Sequence, residues 1–341
     1  MPSLAVSSGD PIADRRMLWA EALFDEGDAA AAAELLADTL KAVPHWAAGW
    51  YRLGEFFEAA ADPEAAAAAW GKAIEADPRD RLGAALRREL LRRDTPLAQM
   101  PSAFVETLFD SYAQDFDQSL ARLGYRGPQL ILRELAGLGR FGRALDLGCG
   151  TGLLGIELRG HCDWLGGCDI SAEMLARAKA RGVYDRLDKY DLTRMPPPVP
   201  EYDLIAAADV VMYIGALESV AEWAAKSLRP GGRFVFTAEA MVGSGYALGE
   251  TRRYRHSARY LTDVLTDAGF AAPRLSPGVV RHDRGQPVEA FVISAERPTA
   301  ALSMGDFLVG ELAKADLTLA EFPVPDLPMA AANDEEAPTA A

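Results

Sequence analysis

Three glycines within five residues follow an apolar run in the segment ALDLGCGTG, residues 144–152. Such a pattern is typical of a strand that turns sharply into a helix, where the first backbone amides of the helix can bind a ligand. Leu153 occupies the position at which the dinucleotide fingerprint Gly-x-Gly-x-x-Gly requires its third glycine, and no Gly-Lys-Ser or Gly-Lys-Thr follows. The segment therefore predicts a ligand-binding turn that is neither a dinucleotide turn nor a Walker-type phosphate loop.

Apolar runs alternate with helical patterns from Arg143 onward. We expect the helices to end at Gly182, Gly231 and Gly269, because glycine commonly follows the last helical residue. The predicted strands are RALDLG, WLGGCDI, YDLIAAAD, GGRFVFTAE and EAFVISAE. Strands that alternate with helices over about 150 residues predict an α/β fold with a doubly wound, mostly parallel sheet.

The N-terminal part contains two Ala-rich helical pairs, each closed by a proline, Pro44 or Pro78. Residues 47–80 resemble the tetratricopeptide (TPR) repeat, and the first unit, residues 13–46, keeps only part of that pattern. The positions that carry the resemblance in the second unit are Trp50, Leu53, Gly54, Phe57, Ala66, Trp70, Ala73 and Pro78. A generic Ala-rich helical pair is the simpler alternative. Since about three repeats are usually needed for a self-sufficient stack, we expect this all-α module to pack against a neighbouring part of the chain.

The glycine turn, the acid at Asp169 and the motifs that follow together resemble class I S-adenosylmethionine-dependent methyltransferases over residues 103–297. The resemblance implies a Rossmann-like, seven-stranded sheet with S-adenosylmethionine as cofactor and S-adenosylhomocysteine as product. Asp169 would accept hydrogen bonds from both ribose hydroxyls, because one carboxylate can take two donors. The implied cofactor-binding residues are Asp146, Gly148, Cys149, Gly150, Gly152, Asp169, Ile170, Asp191, Leu192, Ala208 and Asp209.

The resemblance also assigns parts of the cofactor to these residues. Asp146 and the glycine turn would hold the methionine part, and Ile170 would lie along the adenine. Asp191 with Leu192 would meet the adenine amine and ring edge, although Asp188 competes for that role. Ala208 and Asp209 would border the sulfonium.

The segment LFDSYAQDFDQSL, residues 108–120, resembles the lid over the cofactor in quinone-biosynthesis and related small-molecule methyltransferases. Phe109, Tyr112 and Phe116 fall on one face of a helix, so they would face the site, exclude water and offer π faces to a cation. An ordinary core-facing aromatic stripe is the alternative. The whole layout resembles predicted bacterial methyltransferases with TPR repeats, a group without a settled substrate.

Candidate residues for the methyl acceptor lie before a helix that Ser257 is expected to cap. His256 has a suitable ordinary pKa for a general base, or it is a hydrogen-bonding residue at the helix start. Arg253 could anchor a substrate carboxylate. We expect Tyr112 to act with His256 in catalysis, and the expected substrate-binding residues are Phe109, Tyr112, Phe116, Tyr213, Arg253 and Tyr254. No metal is expected, because the His and Cys residues lack metal-ligand spacing.

Three functions are compatible with these observations. The first is methyl transfer to a small molecule, with the repeats mediating dimerisation or forming a wall of the substrate site. The second is methylation of a protein or peptide that the repeat groove recruits. The third is a non-catalytic scaffold that binds the cofactor, which the intact glycines and acids disfavour. The lid resemblance favours the first.

Charge and cysteine content limit the partners. The formal net charge is −15, so an acidic surface would repel nucleic acid. Three clustered cysteines predict a reduced, cytoplasmic protein, and neither a signal peptide nor a membrane span is expected.

The expected domains follow from these patterns along the chain. They are a flexible N-terminal tail (1–12), a TPR-like domain (13–95), a linker with lid helices (96–142), the methyltransferase domain (143–298) and an acidic, partly disordered tail (299–341) that could contain one amphipathic helix.

Overall fold

The computed structural model of the protein describes residues 7–92 and 97–299. This part of the chain forms twelve α-helices and nine strands. The helices are α1 Pro11–Asp25, α2 Ala29–Leu40, α3 Ala47–Ala59, α4 Pro63–Ala76, α5 Ala84–Arg92, α6 Ser102–Tyr112, α7 Phe116–Arg122, α8 Gly127–Leu135, α9 Leu153–Leu158, α10 Ala172–Arg181, α11 Glu218–Ser227 and α12 Ala258–Asp267.

The N-terminal region is helical, as the sequence predicts, and local chemistry starts its helices. Asp10, Asp28 and Asp62 each accept hydrogen bonds from backbone N–H groups in the first turn of α1, α2 and α4. Neighbouring helices then pack in sequence order, α1 on α2, α2 on α3, α3 on α4 and α4 on α5. The assignment of these helices to the TPR class stays a prediction.

Gly54 of α3 is the point of closest approach to α4. A Cβ at this position would lie 2.2 Å from Nε1 of Trp70, a fully buried side chain whose Nε1 donates to the Tyr51 carbonyl at 3.0 Å. Position 54 of α3 therefore requires glycine if the Trp70 side chain is to keep its position.

We expect Gly54→Ala to lower the free energy of unfolding of the helical region by about 1–3 kcal/mol, because the added methyl overpacks this crossing. Gly71→Ala in α4 is the matched control, since nothing lies within 4 Å of a Cβ there. The control should be neutral or stabilising by up to about 1 kcal/mol, because alanine favours helix. Urea unfolding followed by circular dichroism measures both, and equal effects would contradict the packing argument.

The strands form one sheet, which confirms the Rossmann-like α/β prediction. The row order is β3-β2-β1-β4-β5-β9-β8, in which the first five strands are parallel and β9 is antiparallel to β5 and β8. The strands are β1 Phe141–Leu147, β2 Cys162–Asp169, β3 Arg186–Lys189, β4 Tyr202–Ala207, β5 Leu228–Met241, β6 Tyr246–Leu248, β7 Tyr254–Ser257, β8 Ala271–Asp283 and β9 Gln286–Glu296.

Two short strands extend this seven-stranded row to nine. β7 pairs in parallel with the last two residues of β5, and β6 pairs antiparallel with β7. The sheet therefore has two more strands than the expected seven. These two strands, β6 and β7, form a hairpin that continues the carboxyl end of β5. This hairpin carries several of the residues that we expected at a helix start.

Both faces of the sheet are covered, as in a doubly wound fold. Neighbouring residues of a strand point to opposite faces, so Leu145 joins the cluster that includes Leu261 of α12, while Ala144 joins the cluster that includes Ile131 of α8 and Leu154 of α9.

The boundaries differ from the sequence prediction in two places. α1 begins at Pro11, inside the segment expected to be a flexible tail. α11 ends at Ser227 and not at Gly231, because Pro230 cannot continue a helix and the chain has already entered β5. The expected acidic tail, residue 299 apart, lies outside the described residues. Within the described ranges, no helix combines the length and apolar character needed to cross a bilayer.

Candidate functional site

A cavity opens at the carboxyl ends of β1, β2 and β4, where open α/β sheets bind their ligands. The space not filled by protein atoms is about 1180 Å³, its open mouth included. The sequence-predicted residues that line it are Asp146, Gly148, Cys149, Gly150, Asp169, Ile170, Asp191, Leu192, Ala208, Asp209, Phe109, Phe116, Tyr213 and Arg253.

The glycine turn joins β1 to α9 in a conformation that favours glycine. Gly148, Gly150 and Gly152 all have positive φ, at 65°, 53° and 93°. A Cβ at Gly148 would lie 2.5 Å from the Val210 side chain. Gly152 is the N-terminal cap of α9 and does not line the cavity, so it shapes the turn from behind.

Asp169, the last residue of β2, holds this turn from the neighbouring strand. Its Oδ2 accepts from the Gly150 N–H at 2.9 Å and its Oδ1 accepts from the Ser171 N–H at 2.8 Å. Burial raises the pKa of this carboxyl, and the backbone donors oppose that shift. The carboxylate therefore already organises the loop, and it also lines the cavity where a ligand with hydroxyl donors would lie.

Asp146 of β1 is a second buried acid at the cavity floor. Its Oδ2 accepts a hydrogen bond of 2.7 Å from the Tyr184 hydroxyl. Burial raises its pKa to about 7, although the Tyr184 bond partly opposes that shift. Near neutral pH this carboxyl is therefore poised between its protonated and ionised forms.

The third acid, Asp191, lies after β3. It accepts from the backbone N–H and the hydroxyl of Thr193 at 2.9 and 2.7 Å. Burial opposes ionisation, but these bonds and one from Ser102 lower its pKa. Asp188, the competing acid in the sequence, pairs with Arg186 at 2.7 Å and does not line the cavity. The structure thus brings Asp191, and not Asp188, to the cavity wall.

The opposite end of the cavity contains a buried ion cluster, which consists of Asp209, Arg281 and Glu239. The Arg281 guanidinium donates to both carboxylates and is almost completely buried. Asp209 has φ of 57°, and its N–H donates to the Thr237 hydroxyl at 2.8 Å. A non-glycine residue held in the left-handed region beside a cavity is typical of functional sites.

Two tyrosines and a second arginine complete this end. Tyr125 and Tyr213 line the cavity, and burial raises the pKa of both hydroxyls, so they stay protonated and can donate hydrogen bonds. Arg253 lies beside the Tyr213 hydroxyl. The Phe109 ring packs edge-on against Tyr213, with centroids 5.1 Å apart.

The lid, defined here as α6 and α7, is hydrogen-bonded through two acids to the loops that follow β1 and β2. Asp110 accepts from the Ser171 hydroxyl at 2.6 Å, and Asp117 accepts from the Thr151 hydroxyl at 2.5 Å. Arg181 of α10 also pairs with Asp117. The lid residues Val105, Phe109, Phe116 and Leu120 line the cavity, which they close on one side.

Besides Gly152, three expected residues do not line the cavity. Tyr112 is 51% exposed, because α6 ends at this residue and the break before Phe116 interrupts the expected aromatic face. Tyr254 is fully buried and donates to the Leu97 carbonyl at 2.9 Å. Neither hydroxyl is placed to contact a ligand in the cavity.

His256 is the third of these residues, and its expected role as general base requires correction. It lies in β7 and is fully buried, with Nε2 at 3.1 and 3.0 Å from the carbonyls of Ile214 and Gly215. Two acceptor carbonyls require the proton on Nε2, and burial lowers the pKa to about 4 despite them. The ring therefore fixes the turn after β4 and has no route to a substrate in the cavity.

Sequence reasoning missed Tyr125, Arg281 and Met100, which also line the cavity. Met100 comes from the predicted linker, and the Met100 N–H donates to the Tyr213 carbonyl at 3.2 Å. Arg281 is a buried arginine in β8, close to Val279, Val280 and Val288. An arginine among these valines was the one available signal of its role.

Comparisons with known proteins agree with this geometry. Residues 145–234, which contain the glycine turn, Asp169, Asp191 and Asp209, match the family model described as a methyltransferase domain. This part of the chain is therefore similar to a methyltransferase domain. The match supports the expected methyltransferase class for these residues.

Curated relatives also match part of the chain. Methyltransferase-like protein 27 of Homo sapiens is 40% identical over 115 residues, which cover 32% of this chain and 45% of the relative. Malonyl-[acyl-carrier protein] O-methyltransferase of Enterobacter lignolyticus is 28% identical over 138 residues, which cover 40% of this chain and 55% of the relative. Ubiquinone biosynthesis O-methyltransferase of Marinobacter nauticus is 33% identical over 158 residues, which cover 39% of this chain and 66% of the relative. The chain thus spans about half the length of the first two relatives.

Solved structures to which the chain is similar include an S-adenosylmethionine-dependent methyltransferase from Mesorhizobium loti. It is 21% identical, with a TM-score of 0.41, and the match covers 50% of this chain and 96% of that one.

Proposed function

We propose that the protein is an S-adenosylmethionine-dependent methyltransferase that acts on a small-molecule acceptor. The observation that carries the proposal is one cavity that joins a carboxylate-lined end, with Asp146, Asp169 and Asp191, to an aromatic end under the lid. The residues fit the cofactor, because three acids suit a cationic ligand with amine and hydroxyl donors and would repel the phosphates of a dinucleotide.

Each acid has a part of the cofactor to hold. Asp146 would pair with the methionine ammonium, Asp169 with the ribose hydroxyls and Asp191 with the adenine amine. A Cβ at Gly150 would be in van der Waals contact with the Phe116 ring at 3.8 Å, so the lid lies directly over the glycine turn. When bound, the cofactor supplies a methyl group attached to a positively charged sulfur, which is a good leaving group.

The remaining contribution of this chain is to align the acceptor and to exclude water. Phe109 and Phe116 lie 6.1 Å apart, edge to face, and cover the cavity where the methyl group would lie. Tyr125 and Tyr213 would donate hydrogen bonds to the acceptor. No general base is assigned, since His256 points elsewhere.

The residues that form the cavity walls favour a small acceptor over a peptide. Among the described residues, every one that lines the cavity belongs to the chain from Met100 onward, and none comes from α1 to α5. The helical region instead buttresses the domain: Leu86 of α5 packs with Met100, Phe104 and Tyr254. We propose that these TPR-like helices stabilise the substrate side or bind a partner, including a second copy of the chain, and do not deliver a peptide to the cavity.

The proposal is tested by incubating the protein with S-adenosylmethionine that carries a radioactive methyl group, together with a fractionated bacterial extract. We expect label in the small-molecule fraction that passes a size filter. Label retained on polypeptides, and removed by deleting residues 1–92, would support peptide methylation instead.

The pKa of Asp146 predicts a pH dependence of cofactor binding. Below about pH 7 the folded protein holds a proton on this carboxyl, and that proton must leave before the carboxylate can pair with an ammonium. Affinity should therefore rise with pH between about pH 5.5 and 7, by about tenfold per pH unit at most.

Calorimetry at about pH 6 in two buffers of different ionisation enthalpy should detect close to one proton released per cofactor bound. In the Asp146→Asn variant the release should vanish together with the slope of affinity against pH. An unchanged slope in that variant would exclude Asp146 as its source.

A further inference from the structure

Arg253 differs from the other arginine that lines the cavity. Arg281 is compensated by two buried carboxylates, whereas no carboxylate lies within 4.0 Å of the Arg253 guanidinium among the residues that the structure describes. Arg253 acts at longer range on Asp209, whose pKa it helps to lower, but Asp209 already pairs with Arg281. A partly buried cation without a carboxylate partner is costly unless a ligand compensates its charge.

The backbone holds this side chain at the cavity. Arg253 immediately precedes β7 and follows a tight turn in which the Gly249 N–H donates to the Arg253 carbonyl at 2.9 Å, and the Arg252 N–H donates to the Gly249 carbonyl at 2.8 Å. β7 in turn pairs with β5 and β6. The guanidinium is thus placed by the sheet extension and not by a free loop.

The surroundings suit a planar anion with an apolar body. The Tyr213 hydroxyl lies beside the guanidinium and adds a neutral donor. Phe109, Met212 and Ile214 line the same end of the cavity. In such an apolar environment a guanidinium forms strong, directional hydrogen bonds to a carboxylate.

The local pairing of charges supports the same ligand. Arg281 is already paired with Asp209 and Glu239, so Arg253 is the cation left for an anionic ligand among the described residues that line the cavity. The overall charge of −15 gives no general attraction for anions, so recognition must come from this local cation.

We propose that the methyl acceptor carries a carboxylate, which Arg253 binds with its guanidinium and Tyr213 with its hydroxyl. The inference rests on the proposed function and narrows its substrate class to organic acids with an apolar or aromatic body. Arg253 is then the residue that selects the substrate, and it does not take part in cofactor binding.

The test compares acids with neutral analogues of the same shape. The wild-type protein, saturated with the unreactive cofactor analogue sinefungin, is titrated in a calorimeter with 3-phenylpropionate and octanoate, and with their primary amides. We expect each acid to bind about tenfold or more tightly than its amide. Arg253→Gln should remove that preference, Arg253→Lys should keep part of it, and Arg255→Gln, an exposed neighbour, should leave it unchanged.

Cofactor binding, measured on the same samples, separates the two proposals. If sinefungin and S-adenosylmethionine do not bind the wild-type protein, the proposed function fails. If they bind, but neither acid is preferred over its amide or the preference survives Arg253→Gln, the carboxylate inference is wrong. A loss of cofactor affinity in Arg253→Gln would assign this arginine to the cofactor and also overturn the inference.

Discussion

The Arg281→Met variant is expected to lose about 3–5 kcal/mol of unfolding free energy, because the substitution leaves Asp209 and Glu239 buried without their cation. Methionine fills a similar volume, so the loss reports charge more than packing. Denaturant unfolding followed by tryptophan fluorescence measures it.

The loss should depend on pH with a definite sign. Without Arg281, burial and the Glu239 carboxylate raise the pKa of Asp209 further above its unfolded value of about 4. The folded variant then binds more protons than the unfolded chain, so its stability falls as the pH rises through that window. The deficit relative to the wild-type protein should be smaller near pH 5 than near pH 8.

Two further variants control for this interpretation. Arg259→Met removes a pair with Asp263 that is mostly exposed, and it should change stability by less than about 0.5 kcal/mol. Adding Asp209→Asn and Glu239→Gln to Arg281→Met should restore part of the lost stability, because both carboxylates become neutral and asparagine tolerates the left-handed backbone at position 209. If the triple variant is less stable than Arg281→Met alone, unpaired charge is not the cause.

The Asp169→Ala variant is expected to bind S-adenosylmethionine about 1–3 kcal/mol more weakly, which corresponds to about 5- to 150-fold. The substitution removes the proposed acceptor of the ribose hydroxyls, and it also frees the Gly150 and Ser171 N–H groups that the carboxylate holds at 2.9 and 2.8 Å. Both effects weaken the site.

Asp188→Ala is the matched control, since this acid is one strand away and pairs with Arg186 outside the cavity. Its cofactor affinity should stay within about twofold of the wild-type value. Thermal unfolding of both variants without ligand separates a lost contact from a disordered turn. Equal cofactor affinity in Asp169→Ala and the wild-type protein would remove Asp169 from the site.

The cofactor end of the cavity could be predicted because its residues follow strands in the sequence. Asp146 and Asp169 each stand at or near the end of an apolar run, and parallel strands bring those ends to one edge of the sheet. The glycine turn adds a local pattern that needs no distant partner.

The acceptor end could not be predicted in the same way, because its residues come from elements without a local pattern. Arg281 lies in β8, which contains Pro273 and Pro277, and prolines argue against a strand unless it is an edge strand. β8 is such an edge, since it pairs only with β9. Its ion pair with Asp209 is a tertiary contact that periodicity does not reveal.

Two expectations were wrong because the secondary structure differs from the one assumed. In one case the helix is shorter, and in the other the element is a strand. Tyr112 was expected to share a helical face with Phe116, but the helix breaks between them. His256 was expected at a helix start, but it lies in β7, where alternate side chains point inward and Tyr254 and His256 are both buried. A period of two, not 3.6, decides their direction.

Direct titration of the wild-type protein with S-adenosylmethionine in a calorimeter tests the central claim most directly. The structure leads us to expect saturable binding at one site per chain, with affinity that rises between about pH 5.5 and 7 and competition by S-adenosylhomocysteine. An absence of binding at millimolar S-adenosylmethionine, or binding that Asp169→Ala and Asp146→Asn leave unchanged, would contradict a methyl-donor site at the carboxyl ends of β1 and β2.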